Sequence, residues 1–270
     1  MGSFQYYARA TDTTIPLALS EIATQQSKAT KRTEERAHQF LDYMATHPEA
    51  KKRYWASDMV LNVHSDASYL SAPNGRSRAG GHFFLGSLPR DGDPIKLNGA
   101  ILSLATVLKC VAASAAEAEL GALFLNAQEA KILRLTLEEL GHPQPPIPIH
   151  IDNTTAVGIV NNTIKRQRSR AMEMRYFWLL DHEQQHIFKF HHHPGLENLG
   201  DFPTKNHDGA THQRVRPFYV HMNNSPRLLP RAARPSARRG CVGTGGDPYL
   251  RRNPLPDLSR MGRVQGAPAA

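Results

Sequence analysis

Asp66 and Asp152 close two apolar stretches of the sequence in the same way. In "LNVHSDASYL" Leu61 and Val63 alternate with Asn62 and His64, the period-two signature of a strand with one buried face, and Asp66 arrives where that strand should end. "PIPIHID" finishes on Asp152 and passes into small polar residues. In sheets with parallel strands, ligands gather beyond the strand ends, so two aspartates placed like this can share a site. A third carboxylate comes from residues 115–140, "AAEAELGALFLNAQEAKILRLTLEEL". At about 100° per residue, Leu120, Leu123, Ala127, Ala130, Leu133, Leu137 and Leu140 form one apolar stripe on a helix. Glu119 projects within about 30° of the centre of that stripe, whereas Glu117 lies roughly 130° away. A carboxylate turned towards a sheet is penalised by desolvation unless positive charge compensates it, so Glu119 calls for a partner and Glu117 does not. Asp201, in "ENLGDFPTK", is the fourth acidic candidate. Four carboxylates brought together raise one another's pKa, and a divalent cation removes that penalty; Mg²⁺ suits an all-oxygen ligand set. Two such ions roughly 4 Å apart can activate a water and stabilise the leaving oxygen of a phosphodiester.

The elements that must position these residues are legible in order. Residues 17–45 carry apolar positions every three or four residues and predict two helices meeting near Ser27. "MVLNVHSDAS", "RAGGHFFLGS" and "NGAILSLATVLKCVAAS" predict three successive antiparallel strands, with "APNGRS" and "PRDGDP" supplying the turns. The 115–140 helix is closed by Gly141 and Pro143. Then follow a fourth strand in "PIPIHID", helices over "TTAVGIVNN" and "AMEMRYFWLLDHEQQH", a fifth strand in "IFKFHHH" and a short helix in "LENLGDFPTK". Strands first, then alternating helix and strand, predict an α/β fold: a mixed five-stranded sheet with helices on its faces. The expected divisions are an N-terminal helical segment at 1–54, the sheet domain at 55–222 and a tail at 223–270.

The chain has 270 residues, 40% of them hydrophobic, enough for one ordinary core. It has no run of 18 apolar residues and no signal-peptide pattern at its start, which leads to the expectation of a soluble intracellular protein without membrane contact. Its two cysteines, Cys110 and Cys241, suggest neither a zinc cluster nor a disulfide framework. Of the net charge of +9, the segment 223–270 supplies +7 through nine arginines against two aspartates. With seven prolines and six glycines and no periodicity, that segment reads as disordered. It is read first as a non-native extension from a gene boundary or frame change, and second as a sequence-blind polyanion tether. "KRQRSR" at 165–170 is the densest basic run outside the tail. Lys165, Arg166, Arg168 and Arg170 there, with Lys205 and more weakly Arg76 and Arg78, are candidates for phosphate-backbone contact, against the simpler reading of a solvated surface. His191, His192 and His193 alternate across a strand and cannot all bind one ion, which argues against zinc. Tyr176, Phe177 and Trp178 read as core packing rather than base stacking.

"HSDASY", "SAAEAELGAL", "IHIDNTTAV" and "NLGDFPTK", in this order and at these separations, resemble the ribonuclease H domain of copia-type retrotransposon reverse transcriptase polyproteins. Those domains pair an "SDAD"-like first strand with an "STEAEY" helix, a "DN" strand end and a late "ADxxTK" segment. The similarity covers roughly residues 55–206, and the segment upstream is similar to the thumb and connection helices that precede this domain. The resemblance implies a ribonuclease H-like fold and an endonuclease that cuts the RNA strand of an RNA–DNA hybrid, leaving 3′-hydroxyl and 5′-phosphate ends. It places Asp66, Glu119, Asp152 and Asp201 at the positions of ligands to two Mg²⁺ ions, with Mn²⁺ as a substitute. His192 or His193 would correspond to a mobile histidine that assists product release. Other parts of a polyprotein are the implied partners, and the cytoplasm, including virus-like particles, or the nucleus is the implied location. Two departures stand out: "STEAEY" is "AAEAEL" here, losing a Ser/Thr cap, and "ADxxTK" is "GDFPTK", with Gly200 and Pro203 altering that turn. No Asp-Asp dipeptide occurs, so a Tyr-x-Asp-Asp polymerase hairpin is missing and the chain is expected to be a fragment. The alternatives are a catalytically inactive nucleic-acid-binding remnant of the same element and, last, a transposase or integrase core, whose glutamate should follow rather than precede the second aspartate.

Overall fold

The computed structural model describes residues 2–88, 90, 93–154, 158, 170–223 and 225–229. Apart from Thr154 and Gly158, the helix expected over "TTAVGIVNN" lies outside the described residues, as does nearly all of the 223–270 tail. All described residues belong to one compact unit.

Strand β1 (Val60–Ala72) turns back through Asn74 and Gly75, both in the left-handed region at φ 62° and 65°, and pairs antiparallel with β2 (Arg76–Gly86). β3 (Ala100–Val107) continues the antiparallel meander, while β4 (Ile147–Ile151) lies parallel to β1 and β5 (Phe188–His192) parallel to β4. The sheet order is β3-β2-β1-β4-β5, which is the mixed five-stranded, ribonuclease H-like arrangement.

β1 is therefore the central strand, and this changes its expected character. Leu61 and Val63 are buried, but so are Asn62 and His64, because both faces of the sheet are covered. On one face lie α4 (Ala115–Glu139) and α5 (Arg170–Gln184), packing Leu120, Leu123, Ala127, Ala130, Tyr176 and Leu179 against Leu61, Val63, Ile149 and Phe188. On the other, Leu199, Phe202, Tyr219 and Leu229 pack against Phe84. His82 meets the Tyr219 ring edge-on at 5.2 Å, and His64 Nδ1 accepts from the Leu199 N–H. Leu140, expected in the helix stripe, is instead the exposed C-cap of α4. Phe177 is exposed, while Tyr176 is core and Trp178 stacks on His182 at 3.9 Å.

Three N-terminal helices, α1 (Gly2–Ala10), α2 (Pro16–Thr24) and α3 (Lys31–Thr46), close their own cluster on Ala8, Ile15, Leu19 and Phe40. A short 3₁₀ turn at Gln26–Lys28 separates α2 from α3, as the break expected near Ser27 requires. This segment is clasped to the far end of the chain. Thr13 Oγ1 donates to the Tyr219 carbonyl, the buried Arg216 pairs with the buried Asp12 at 3.5 Å, and the His221 N–H donates to the Lys51 carbonyl. Helix α6 (Gly209–Val215), N-capped by Asp208, leads into that region. Residues 227–229, placed by the sequence within the tail, pair with 95–97 and bury Leu229; the "RLL" run supplies the apolar side chains that make this possible.

The backbone of the 200–204 segment approaches β2 closely at Gly80. A Cβ there would stand 2.4 Å from both the Gly200 carbonyl oxygen and Thr204 Cγ2. Gly80→Ala should therefore lower stability by about 3 kcal/mol, the upper range for overpacking, read as a shift in the urea midpoint at unchanged slope. An unshifted midpoint would mean that the 200–204 segment is not seated on β2.

Candidate metal centre

The last parallel pair between β1 and β4 is His64 with His150. β1 runs on for eight more residues against β2 alone, so Asp66, opposite Gly80, sits in mid-strand and not at a strand end as its sequence context suggested. Relative to β4, however, it lies just beyond the last rung, and Asp152 follows Ile151, the final residue of β4. Glu119 enters from the first turns of α4. Ser114 caps that helix by accepting from the Glu117 N–H, and Glu117 in turn accepts from the Ala113 N–H. The cap expected to be lost with "AAEAEL" is thus retained one residue earlier, and Glu117 is committed to it.

Asp66, Glu119 and Asp152 each offer a carboxylate oxygen, and the three atoms lie within 4.8 Å of one another. Asp66 and Glu119 are buried, Asp152 half-buried. Burial pushes Asp66 up to about 7 against the opposing pull of Lys205 and Thr204. Burial, reinforced by the charges of Asp66 and Asp152, pushes Glu119 up to about 9. Asp152 is also raised, mainly by burial. Glu119 Oε2 is buried without a hydrogen-bond partner. An acidic group held this way suits a cation.

Asp201 lies outside this trio. The short helix expected over 196–205 is broken into two 3₁₀ turns, Gly195–Glu197 and Phe202–Thr204, with Asp201 at the start of the second. Its carboxylate accepts from Lys205, whose ammonium also lies 3.9 Å from Asp66. Burial lowers the Lys205 amine, but the carboxylates of Asp66, Asp201 and Asp152 outweigh it and the net shift is upward. Lys205, expected to face phosphate, is engaged with carboxylates in this structure.

Sequence reasoning did not single out the groups that hold Asp66 in place. Asn126 donates to Ser65 Oγ and the Gly80 carbonyl, both at 2.8 Å, and Asn198 donates to the Ser65 carbonyl. Gly200 lies so close to β1 that a Cβ would stand 2.9 Å from the Asp66 nitrogen. Thr204 Oγ1, 2.5 Å from Asp66 Oδ2 and 2.7 Å from the Asp201 carbonyl, is the direct hydroxyl neighbour of the buried carboxylate. The only sequence signal was a buried amide, Asn126, within an apolar helix face. Thr204→Val should cost about 1.5–3 kcal/mol at pH 8 in metal-free buffer, the worth of a hydrogen bond to a charged group, and Thr204→Ser should restore it. Equal urea midpoints for Val and wild type would remove Thr204 from the site.

No family model matches the chain. One curated protein, the "Retrovirus-related Pol polyprotein from transposon TNT 1-94" of Nicotiana tabacum, is 28% identical over 155 residues, which is 56% of this chain and 11% of that protein. Over that stretch the chain is similar to a retrotransposon Pol polyprotein. The match spans only about a tenth of that polyprotein's length. Solved structures similar to this chain include LC11-RNase H1 in complex with RNA/DNA hybrid, at TM-score 0.38 and 11% identity over 52% of this chain and 88% of that one. RNase H1 from Halobacterium salinarum overlaps at TM-score 0.33 and 16% identity, covering 50% and 86%. The prototype foamy virus protease-reverse transcriptase overlaps at TM-score 0.32 and 9% identity, covering 62% and 21%.

Of the basic candidates, Lys165, Arg166 and Arg168 lie outside the described residues, and Arg170 is described only as the first residue of α5. Arg78 cannot serve as a phosphate contact here, because it is buried at 2% exposure and donates to Ser20 Oγ at 2.8 Å. The histidines at the end of β5 border the site. His192 Nε2 lies 3.0 Å from the Asp152 carbonyl oxygen, and His193 packs edge-on to His150, 3.6 Å from the Glu197 carboxylate.

Proposed function

We propose that this chain is a ribonuclease H module, a Mg²⁺-dependent endonuclease that cuts the RNA strand of an RNA–DNA hybrid. The observation that carries this reading is the convergence of Asp66, Glu119 and Asp152 within 4.8 Å around a buried, unpartnered carboxylate oxygen. Such a donor set is all oxygen, negatively charged and desolvated, which fits a hard divalent cation. Asp66, Glu119 and Asp152 would hold Mg²⁺, or Mn²⁺ in its place, with Asp201 the adjacent fourth carboxylate of a two-ion site. When bound, the ions would supply an activated water and stabilise the leaving 3′ oxygen.

The chain's own residues set up that chemistry. Thr204, Asn126 and Asn198 fix the β1 backbone and the Asp66 carboxylate, so the ligand oxygens are pre-organised. Lys205 offsets part of the negative charge of Asp66 and Asp201. Selectivity for hybrids is expected to come from 2′-hydroxyls on the scissile strand and from duplex shape, which are backbone features. Other segments of a Pol polyprotein are the proposed partners.

The test is incubation of the purified chain with an end-labelled RNA–DNA hybrid, with and without Mg²⁺. Cleavage of the RNA strand only with metal, to 3′-hydroxyl and 5′-phosphate ends, is the expected result. A hybrid bound but left intact at saturating Mg²⁺ would overturn the nuclease assignment in favour of a nucleic-acid-binding remnant.

A further inference from the structure

We propose that the end of the sheet remote from the three carboxylates carries a second nucleic-acid contact, a cationic seat for phosphodiester groups formed by Arg53, Lys96 and Arg227 around Trp55. It rests on the reading that the chain works on nucleic acid, and goes beyond it because none of the four acidic candidates takes part. Val60, where β1 begins, pairs with Gly86 beside this seat, and Asp66 is six residues further along, about 20 Å at the rise of a strand.

The seat is built, not incidental. The Trp55 N–H donates to Asn98 Oδ1 at 2.8 Å and its carbonyl accepts from Asn98 Nδ2 at 3.0 Å, while the same amide nitrogen reaches the Leu85 carbonyl on β2. The guanidinium carbons of Arg53 and Arg227 stand 3.9 and 4.2 Å from the centre of the indole ring. Two guanidinium groups that close to one ring centre must occupy opposite faces. Arg227 is positioned by the pairing of 95–97 with 227–229, through Leu97 N–H to the Arg227 carbonyl and Leu229 N–H to the Ile95 carbonyl, and this pairing sets Lys96 opposite Leu228. A cavity of about 320 Å³ opens between them, lined in part by Trp55, Ser57, Ser87, Lys96, Asn98 and Arg227.

The charge there is unbalanced. Lys51 is matched by Glu49 at 3.3 Å, but among the described residues no carboxylate lies within 4.0 Å of Arg53, Lys96 or Arg227, all three exposed. Holding two guanidiniums against one ring concentrates positive potential at a fixed place, which favours a polyanion. Planar guanidinium forks match phosphate oxygens. Because both faces of Trp55 are covered, the indole cannot stack a base. The contact is therefore to backbone and blind to sequence.

The test uses the full chain and a single-stranded oligothymidylate of roughly 20 nucleotides in divalent-free buffer, a ligand with no 2′-hydroxyl to cut. Tryptophan emission should change saturably on titration. Arg53→Gln with Arg227→Gln should lower affinity roughly tenfold at low salt and flatten the slope of log K against log salt by about 1.4, the share of two phosphates on a single strand. Arg53→Lys with Arg227→Lys should recover most of that slope. Trp178→Phe assigns the emission to Trp55; should that variant not fold, iodide quenching of the unmodified protein serves instead, with Trp55 protected by the bound strand. An unchanged slope in the Gln double variant overturns the proposal. So does Arg53- and Arg227-dependent binding of polyglutamate or phosphatidylserine vesicles where oligothymidylate fails, which would assign the seat to an acidic protein or a membrane. Absence of hybrid cleavage by the unmodified chain, with oligothymidylate binding intact, would count against the nuclease reading alone.

Discussion

Asp66→Asn abolishes hybrid cleavage and, at pH 8 without metal, makes the protein more stable. The loss in rate should be at least on the order of 10²–10³-fold, as for removal of a preorganised electrostatic group from a reaction centre. The gain in stability follows from the folded environment, which raises the Asp66 carboxyl to about 7 from its ordinary 3.8. A carboxyl raised in this way keeps its proton in the native state while the unfolded chain has lost it, so stability declines as pH rises from about 4 through 7. At pH 8 the ionised group costs up to about 4 kcal/mol, which Asn does not incur, and at pH 4 variant and wild type should coincide. Glu119→Gln should behave alike. Glu117→Gln should cost at most about 1 kcal/mol of helix cap and leave cleavage intact. Urea unfolding at pH 4 and pH 8, beside hybrid cleavage, decides the matter; an Asp66→Asn protein that still cuts, or is weaker at pH 8, would exclude the centre as drawn.

Without metal the protein should lose stability at both ends of the pH scale, and Mg²⁺ should repair only the alkaline end. His82 drives the acid limb. Burial, helped by the charge of Lys52, holds its imidazole down at about 3, and neither ring nitrogen has a hydrogen-bond partner. A base lowered below its unfolded value of about 6.5 is neutral in the native state and charged in the unfolded one, so its contribution is intact above 6.5 and falls away towards 3. His64 and His150, also buried and lowered chiefly by burial, add to the same limb. Asp66 and Glu119 act with the opposite sign, and between about 4.5 and 6.5 the two sets offset each other. Below that window the histidines act alone, and above it the carboxylates do, each group at up to about 1.4 kcal/mol per pH unit. Since ligands must be deprotonated to hold metal, Mg²⁺ should raise Tm strongly at pH 8.5 and hardly at pH 5. Calorimetric scans at pH 3.5, 5.5 and 8.5 with and without Mg²⁺ check this; an equal Mg²⁺ shift at 5.5 and 8.5 would mean that the metal binds elsewhere.

Local pattern revealed what local forces determine. The phase of Glu119 was legible because a helix stripe fixes direction to within tens of degrees, and the succession of the first three strands because the turns between them carry Gly, Asn and Asp. The length of β1 was not legible, because it is set by pairing with β2 and not by its own composition, and so Asp66 was placed at an end. The alternation of Leu61 and Val63 with Asn62 and His64 suggested one wet face, but the segment 195–229 covers it from far along the chain. Thr204 and Lys205 lie well over a hundred residues from Asp66, and nothing in "GDFPTK" states where that turn will land.

The clasp between the two ends of the described chain bears on how the protein reaches this structure. Thr13 waits for Tyr219, Asp12 for Arg216, and Leu97 for Arg227. Closing loops of this size is entropically costly before the contacts repay it, which slows folding in proportion to sequence separation. During synthesis at about 5–20 residues per second, α1 to α3 emerge some ten to forty seconds before the partners that complete their packing. A ribosome-bound chain ending before residue 216 should hold its meander β1–β3 and α4 yet leave the N-terminal helices open to protease, and protection there should arrive only once residues 216–229 have cleared the exit tunnel.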